Sequence, residues 1–215
     1  LVEQNPEDEP AEELLERITA EKARLVKAGT LKAERKSKGL SSPVGLFALP
    51  KGWTWTSLQS ICMSISDGDH QAPPKSETGI PFLVIGDVRT KLINYDAERR
   101  VPQEYYDTLD PIRRPQSGDL LYTLVGSFGI PVPVRSEAPF CIQRHIGILR
   151  PARKINLNCL ALFLESEFAF KQAEAVATGI AQKTVSLAGL RSMVLPLPPL
   201  PEQHRIVAKV DELMA

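Results

Sequence analysis

Residues 177–213, ATGIAQKTVSLAGLRSMVLPLPPLPEQHRIVAKVDEL, set a helix end, a polar loop, an extended run and a helix start in one short stretch. Gly179 is placed to end a helix running from about Leu160 to Ala177, since glycine takes the left-handed conformation without a Cβ clash. That helix predicts Leu160, Phe163, Leu164, Phe168 and Ala175 on its inner side. Gly179-Ile180-Ala181-Gln182-Lys183-Thr184 is a polar loop, and Leu195-Pro196-Leu197-Pro198-Pro199-Leu200-Pro201 predicts a stiff extended spacer. Pro201 then suits the first turn of a new helix, because its missing N–H has no intrahelical partner there. Ile206, Val207, Val210, Leu213 and Met214 fall on one face of that helix. The stripe is still running where the chain stops, which implies a continuation or a partner helix.

Before this stretch, short apolar runs recur between Gly and Pro turn signals. They are Ile80 to Val88, Asp119 to Val125, Ile130 to Val134 and Ile142 to Leu149. Pro131 and Pro133 confine the third run to a sheet edge or an irregular strand, since proline cannot donate to a ladder. The N-terminal segment opens with Pro10 and the acidic first turn Glu12-Glu13, and Gly29 can terminate it. Leu14, Leu15, Ile18, Leu25 and Val26 share one broad face of this amphipathic helix. Residues 39–50, with Ser41, Ser42, Pro43 and Gly45, read as a linker. The expected fold is α+β: a mixed, mostly antiparallel sheet or partial barrel with small helices, flanked by long coiled-coil-type helices. The expected divisions are 1–48 for the helical region and linker, 49–196 for the core, and 197–215 for the start of a long helix. If the two flanking helices are antiparallel, Leu14, Leu15, Ile18 and Leu25 can pair with Ile206, Val207, Val210 and Leu213.

Lys+Arg and Asp+Glu are both 26, so the net charge is zero, which argues against a generic polyanion binder. A local basic face on a neutral protein is still compatible with DNA, bound weakly by this piece alone. The three cysteines, Cys62, Cys141 and Cys159, lie far apart, as incidental thiols in a reducing cytosol do. No stretch is apolar enough to span a membrane. Beginning at Leu1 rather than Met, the chain reads as a fragment.

Catalytic motifs are missing. There is no phosphate-binding GxxxxGK[ST] or GxGxxG, and Gly126-Ser127-Phe128-Gly129 is not a nucleophile elbow. Ser127, His145 and Asp119 can be drawn as a hydrolase triad on residue identity alone, and a tight glycine turn after a strand explains the segment better. His70, His145 and His204 show no metal-ligand spacing, and His204 is expected to face solvent. What remains is a set of polar loops rich in the donors that read base edges or hold phosphate. The candidate DNA-binding residues are His70, Lys75, Arg89, Thr90, Lys91, Ser127, Arg144, His145, Gln182 and Lys183, with no catalytic or metal-binding residue.

The order of motifs resembles the specificity subunit of type I restriction–modification systems. LPKGWTWTSLQSI resembles the start of its target-recognition domain, and LVEQNPEDEPAEELLERITAEKARL the helical region before it. SDGDHQAPP, GIPFLVIGDVR, SGDLLYTLVGSFG and the stretch from Ala177 to Leu213 follow in the family's order. The Gly-x-x-Gln loop followed by PLPPLPEQ-x-RIV is the most specific of these matches. The resemblance implies a non-catalytic subunit that reads one half of a split double-stranded DNA target. It implies long helices that set the spacing between half-sites, and partners that carry the chemistry. Those partners are modification subunits using S-adenosylmethionine and a restriction subunit using ATP and Mg; this chain itself is expected to hold no cofactor. It further implies a cytoplasmic location and placement in the N-terminal half of the subunit, while the open helical stripes themselves predict self-association of the fragment. Two rival readings are the recognition end of a fused methyltransferase–nuclease and a protein-interaction scaffold.

Overall fold

The computed structural model describes residues 2–33, 47–88 and 90–214. Arg89 and most of the expected linker lie outside the described residues. The helices are α1 (Ala11–Lys27), α2 (Leu58–Ile61), α3 (Gln103–Thr108), α4 (Leu157–Leu164), α5 (Glu167–Val176), α6 (Leu187–Ser192) and α7 (Leu200–Met214). The strands are β1 (Thr54–Ser57), β2 (Cys62–Asp67), β3 (Ile80–Leu83), β4 (Arg100–Val101), β5 (Leu120–Thr123), β6 (Pro131–Pro133), β7 (Cys141–Ile142), β8 (Ile146–Pro151), β9 (Ala177–Thr178), β10 (Thr184–Val185) and β11 (Val194–Leu197).

The fold is α+β. An antiparallel sheet runs in the order β2-β8-β5-β6, with the proline-bearing β6 at its edge, where a strand needs fewest donors. A second sheet has β3 between antiparallel β4 and parallel β7. β9 and β10 form a hairpin, and β1 pairs antiparallel with β11. Ile65, Tyr122, Leu149 and Leu190 share the larger core with residues of α1 and α4, while Leu121, Ile148, Phe140 and Ile142 form a second core on the other side of the sheet. Asp119 is buried at the start of β5 and takes Arg150 in two 2.8 Å hydrogen bonds, so its charge is matched inside the protein.

Four expectations change. The single helix over 160–177 is two helices, because Ser166 caps α5 by accepting from the Ala169 amide, just as Asn156 caps α4. Ala169 and Ala173 turn inward on α5, and Ala175 is exposed. Gly179 sits in the β9–β10 turn at φ 105°, not at the helix end, and a Cβ there would meet the Gln182 carbonyl oxygen at 2.4 Å. The proline run begins as strand: Val194–Leu197 pairs with β1 from Ser57 to Thr54, burying Leu195 and Leu197.

The helix-pairing assignment also changes. Leu14 and Ile18 are each 1% exposed and are packed with Leu58 and Ile61 in the larger core. Leu200, at the start of α7, packs against the same core. Leu15 and Leu25 are half-buried, and Leu15 packs against the same core. On α7, Val207 is buried and Ile206 and Val210 are half-buried, whereas Leu213 is 72% exposed. The amphipathic face of α1 is spent on its own domain, which the hydrophobic effect favours whenever a partner surface is that close.

Because Leu14 is fully enclosed, Leu14→Ala should lower the unfolding free energy by about 3 kcal/mol. A urea denaturation midpoint unchanged from wild type would show that α1 is not part of the core.

Candidate nucleic-acid interface

Three loops meet beside the C-terminal ends of β2 and β5. The first leaves β2 at Asp67. Asp67 accepts from Arg113 at 2.8 Å and bonds the His70 ring Nε2 at 2.8 Å, while Arg113 also donates to the Asp67 and Gly68 carbonyls. Next along, the Asp69 carboxylate accepts from the His70 amide and from the Tyr105 hydroxyl, each at 2.8 Å. Burial raises the Asp69 carboxyl, but the Tyr105, Gln71 and His70 donors together with Arg113 hold it below its ordinary value. Burial first, and then Asp69, push the Tyr105 hydroxyl up. The loop is thus fixed by charge-assisted bonds on both sides of Gly68.

The second loop carries Arg144 and His145 between β7 and β8. The His145 carbonyl accepts from the Leu124 amide at 2.9 Å, which fixes its backbone. Burial, then the Arg144 charge, lower the His145 pKa, so its imidazole is neutral at pH 7 and offers one donor and one acceptor. The third loop is the β9–β10 hairpin. It is held to the glycine turn by Gly126 N–H donating to the Lys183 carbonyl at 3.1 Å and Val185 N–H donating to the Leu124 carbonyl at 2.9 Å. Gly126 and Gly129 both take positive φ, 69° and 93°, which lets the turn pass close under Gln182 and beside Phe170.

Together the loops line a groove of about 360 Å³ whose polar walls are Asp67, His70, Arg144, His145, Gln182, Thr184 and Ser186. Four of the expected DNA-binding residues, His70, Arg144, His145 and Gln182, therefore converge on one surface from distant parts of the chain. Ser127 lies exposed in the adjoining glycine turn. Lys183 stands in the same hairpin, with its ammonium on Glu174 at 2.9 Å. The others are not brought to the groove. Lys75 lines a separate cavity of about 400 Å³ with Arg99 and Arg100. Thr90 is exposed, and Lys91, at φ 64°, pairs with Glu165 at 2.9 Å, so its charge is directed to the end of α4. Arg89 lies outside the described residues.

Sequence reading missed Thr184 in the groove, the fixing roles of Arg113 and Tyr105, and the Arg99–Arg100 pair. The adjacent arginines were the available signal; Arg113 and Tyr105 act across the fold and leave no local pattern. Ser127, His145 and Asp119 do not form a triad, since Asp119 stands at the opposite end of β5 from Ser127 and holds Arg150. His204 is exposed as expected, with its Nδ1 at 2.9 Å from Asn156. Among the described residues no cluster of His, Cys, Asp and Glu could hold a metal ion, and no helix is long and apolar enough to cross a membrane.

A family model, the type I restriction modification DNA specificity domain, matches residues 50–215. The specificity subunit of the type I restriction enzyme EcoAI from Escherichia coli is 32% identical over 232 aligned residues, covering all of this chain and 37% of that protein. The EcoEI specificity subunit of the same species is 28% identical, covering all of this chain and 36% of that protein. The chain thus spans little more than a third of the curated relatives it matches. The crystal structure of the HsdS subunit from Thermoanaerobacter tengcongensis superposes with a TM-score of 0.57 at 24% identity, over 94% of this chain and 48% of that one. A structure describing complex assembly and conformational transition of the type I R-M system gives 0.60 at 22% identity, over 95% of this chain and 47% of that one. At these identities the likeness is one of fold.

Two measurements check the geometry. A Cβ on residue 68 would lie 2.0 Å from the Ile142 carbonyl oxygen, so Gly68→Ala should displace the first loop and, with it, His70. Backbone amide shifts at Asp69, His70 and Gln143 that stay at wild-type positions would refute this close approach. For His145, the folded pKa lies below the unfolded one, so protonation favours unfolding. Its stabilising contribution is present above the ordinary histidine value of about 6.5 and is lost as pH falls through the folded pKa. In an NMR titration, the His145 ring should titrate below the free imidazole; a midpoint at or above it would remove the neutral donor–acceptor role.

Proposed function

The chain belongs to the family of type I restriction modification DNA specificity domains, and from that premise we propose that it reads part of a double-stranded DNA target for partner subunits that perform the chemistry. The observation that carries this is the groove, where His70, Arg144, His145 and Gln182 are presented by three loops anchored to the sheet. Base edges in the major groove differ in their pattern of donors and acceptors. Arg144 matches the two acceptors of guanine, and Gln182 matches the acceptor–donor pair of adenine. Neutral His145 complements either a donor or an acceptor. The rigid positioning matters as much as the groups, because discrimination requires that a wrong base leave a desolvated polar atom unpaired.

The roles of partners follow from the same reading. Modification subunits carrying S-adenosylmethionine dock on the specificity subunit, and a restriction subunit joins them. With zero net charge, this piece contributes recognition and draws much of its affinity from those partners. Self-association through the helical stripe of α7, which carries Ile206, Val207 and Val210, belongs to the same reading. The assembly works in the cytoplasm, where the DNA is.

The test is co-expression of the complete protein with its modification subunit, followed by mapping of methylated bases in the host genome. A split motif should appear. Arg144→Ala or Gln182→Ala should then relax one position in one half of it, at a cost of roughly 1–3 kcal/mol against the original base. If the variants leave every position of the motif as strict as before, the groove does not read bases. If no methylated motif appears with the wild type, the chain does not serve as a specificity subunit.

A further inference from the structure

The cavity on the other side of the first loop has a different chemistry from the reading groove. Residues 68–76 connect the two, with His70 in the groove and Lys75 in the cavity. The cavity measures about 400 Å³ and its lining includes Lys75, Arg99, Arg100, Glu98 and Phe82. Three cations and one carboxylate thus share its lining. Neither Lys75 nor Arg99 has an ion-pair or side-chain hydrogen-bond partner among the described residues, and both are exposed.

The backbone makes this arrangement rigid. Arg99 and Arg100 are held by the edge of the three-stranded sheet, where the Phe82 amide donates to the Arg99 carbonyl at 2.9 Å and Pro81 pairs with Arg100. From the other side, the Ser76 amide donates to the Arg100 carbonyl at 3.1 Å, which places Lys75 beside the arginine pair. Pro73 and Pro74 restrict the chain leading to it. Arg100 donates one N–H to the Gly79 carbonyl at 3.0 Å, and its remaining donors are uncommitted among the described residues. The backbone that carries the three cations is therefore fixed around one concave surface, and the exposed Lys75 and Arg99 side chains are free to meet an anion there.

We propose that this cavity is a backbone-anchoring site that holds a DNA phosphodiester and so sets the register of the reading groove on the duplex. The inference rests on the DNA reading above. It assigns the two surfaces different work: the cavity holds any sequence equally, and the groove discriminates. Phosphate contacts fix position without carrying sequence information, and their signature is a salt dependence.

The experiment is a salt series of equilibrium binding, by fluorescence anisotropy, with the complete protein bound to its modification subunit. Target duplex and a scrambled duplex of equal length are the probes. The double variant Lys75→Gln, Arg99→Gln leaves the Arg100 tether intact, and unchanged thermal melting reports that the fold is kept. The slope of log affinity on log salt should fall by about 1, near 0.9 for the one phosphate no longer neutralised. Both duplexes should weaken by the same factor, and the methylated motif should stay the same. An unchanged slope overturns the proposal, and so does a changed base preference, which would make these residues readers. If the wild-type complex does not prefer its target over the scrambled duplex, the DNA reading fails and takes this inference with it; that outcome is visible before any variant is made.

Discussion

The backbone of Gly68 passes so close to Ile142 and Gln143 that no side chain fits between them: a Cβ would lie 2.0 Å from the Ile142 carbonyl oxygen. Here the end of β2, in the four-stranded sheet, meets the end of β7, in the three-stranded sheet. The bridge between Asp69 and Gln143 joins the two sheets across this point, and the Gln143 amide, donating to the Leu83 carbonyl at 2.9 Å, extends the pairing of β7 with β3. Asp67 then gathers Arg113 and His70, and Asp69 gathers Tyr105 from α3. A larger residue at 68 would separate the sheets and dissolve the corner on which His70 and Arg144 are jointly placed. Glycine is required here for absence of volume rather than for an unusual φ.

A second constraint closes the domain. β1 and β11 pair over a sequence separation that spans nearly the whole core, so the chain enters and leaves side by side. The PEQ segment after the proline run is part of this closure. Glu202 accepts from the Trp53 indole at 2.9 Å, and Gln203 is buried, accepting from the Asn156 amide and donating to the Pro198 carbonyl. Buried polar groups must be paired in this way or destabilise the fold. Arg205 adds an ion pair to Asp8 in the segment before α1. α7 is consequently mounted on the domain through its first turns, and only its far end is open.

Legibility in the sequence followed the range of the interactions. The amphipathic face of α1, the glycine turn, the edge placement of β6 and the start of α7 were all legible, because each depends on residues close in sequence. The break at Ser166 was hidden by continuous apolar periodicity, although a serine followed by glutamate at the next position is compatible with a cap. Proline-rich Val194–Leu197 read as spacer because proline content suggests no ladder, yet alternate residues leave enough donors to pair with β1. Polar loops were recognised as a class, but not which of them meet. Lys91 and His70 are alike in being exposed polar loop residues, and only the fold sends one to Glu165 and the other to the groove. The face of α1 was read correctly as apolar, and Leu14 and Ile18 carry it into the larger core; periodicity reports that a face is buried and not what buries it.

The neutrality of the chain takes on meaning once the surfaces are separated. Beside the groove, Asp67 offsets the charge of Arg113, and Lys183 is offset by Glu174. A surface compensated in this manner gains little from nonspecific attraction to phosphate, which falls with the number of free cations. Its interaction energy therefore depends on matched hydrogen bonds, which are strong only where the partner presents the complementary pattern. Uncompensated cations in the same place would raise affinity for every sequence alike and so dilute the difference between right and wrong. The carboxylates that make the chain neutral are thus compatible with the DNA recognition proposed above.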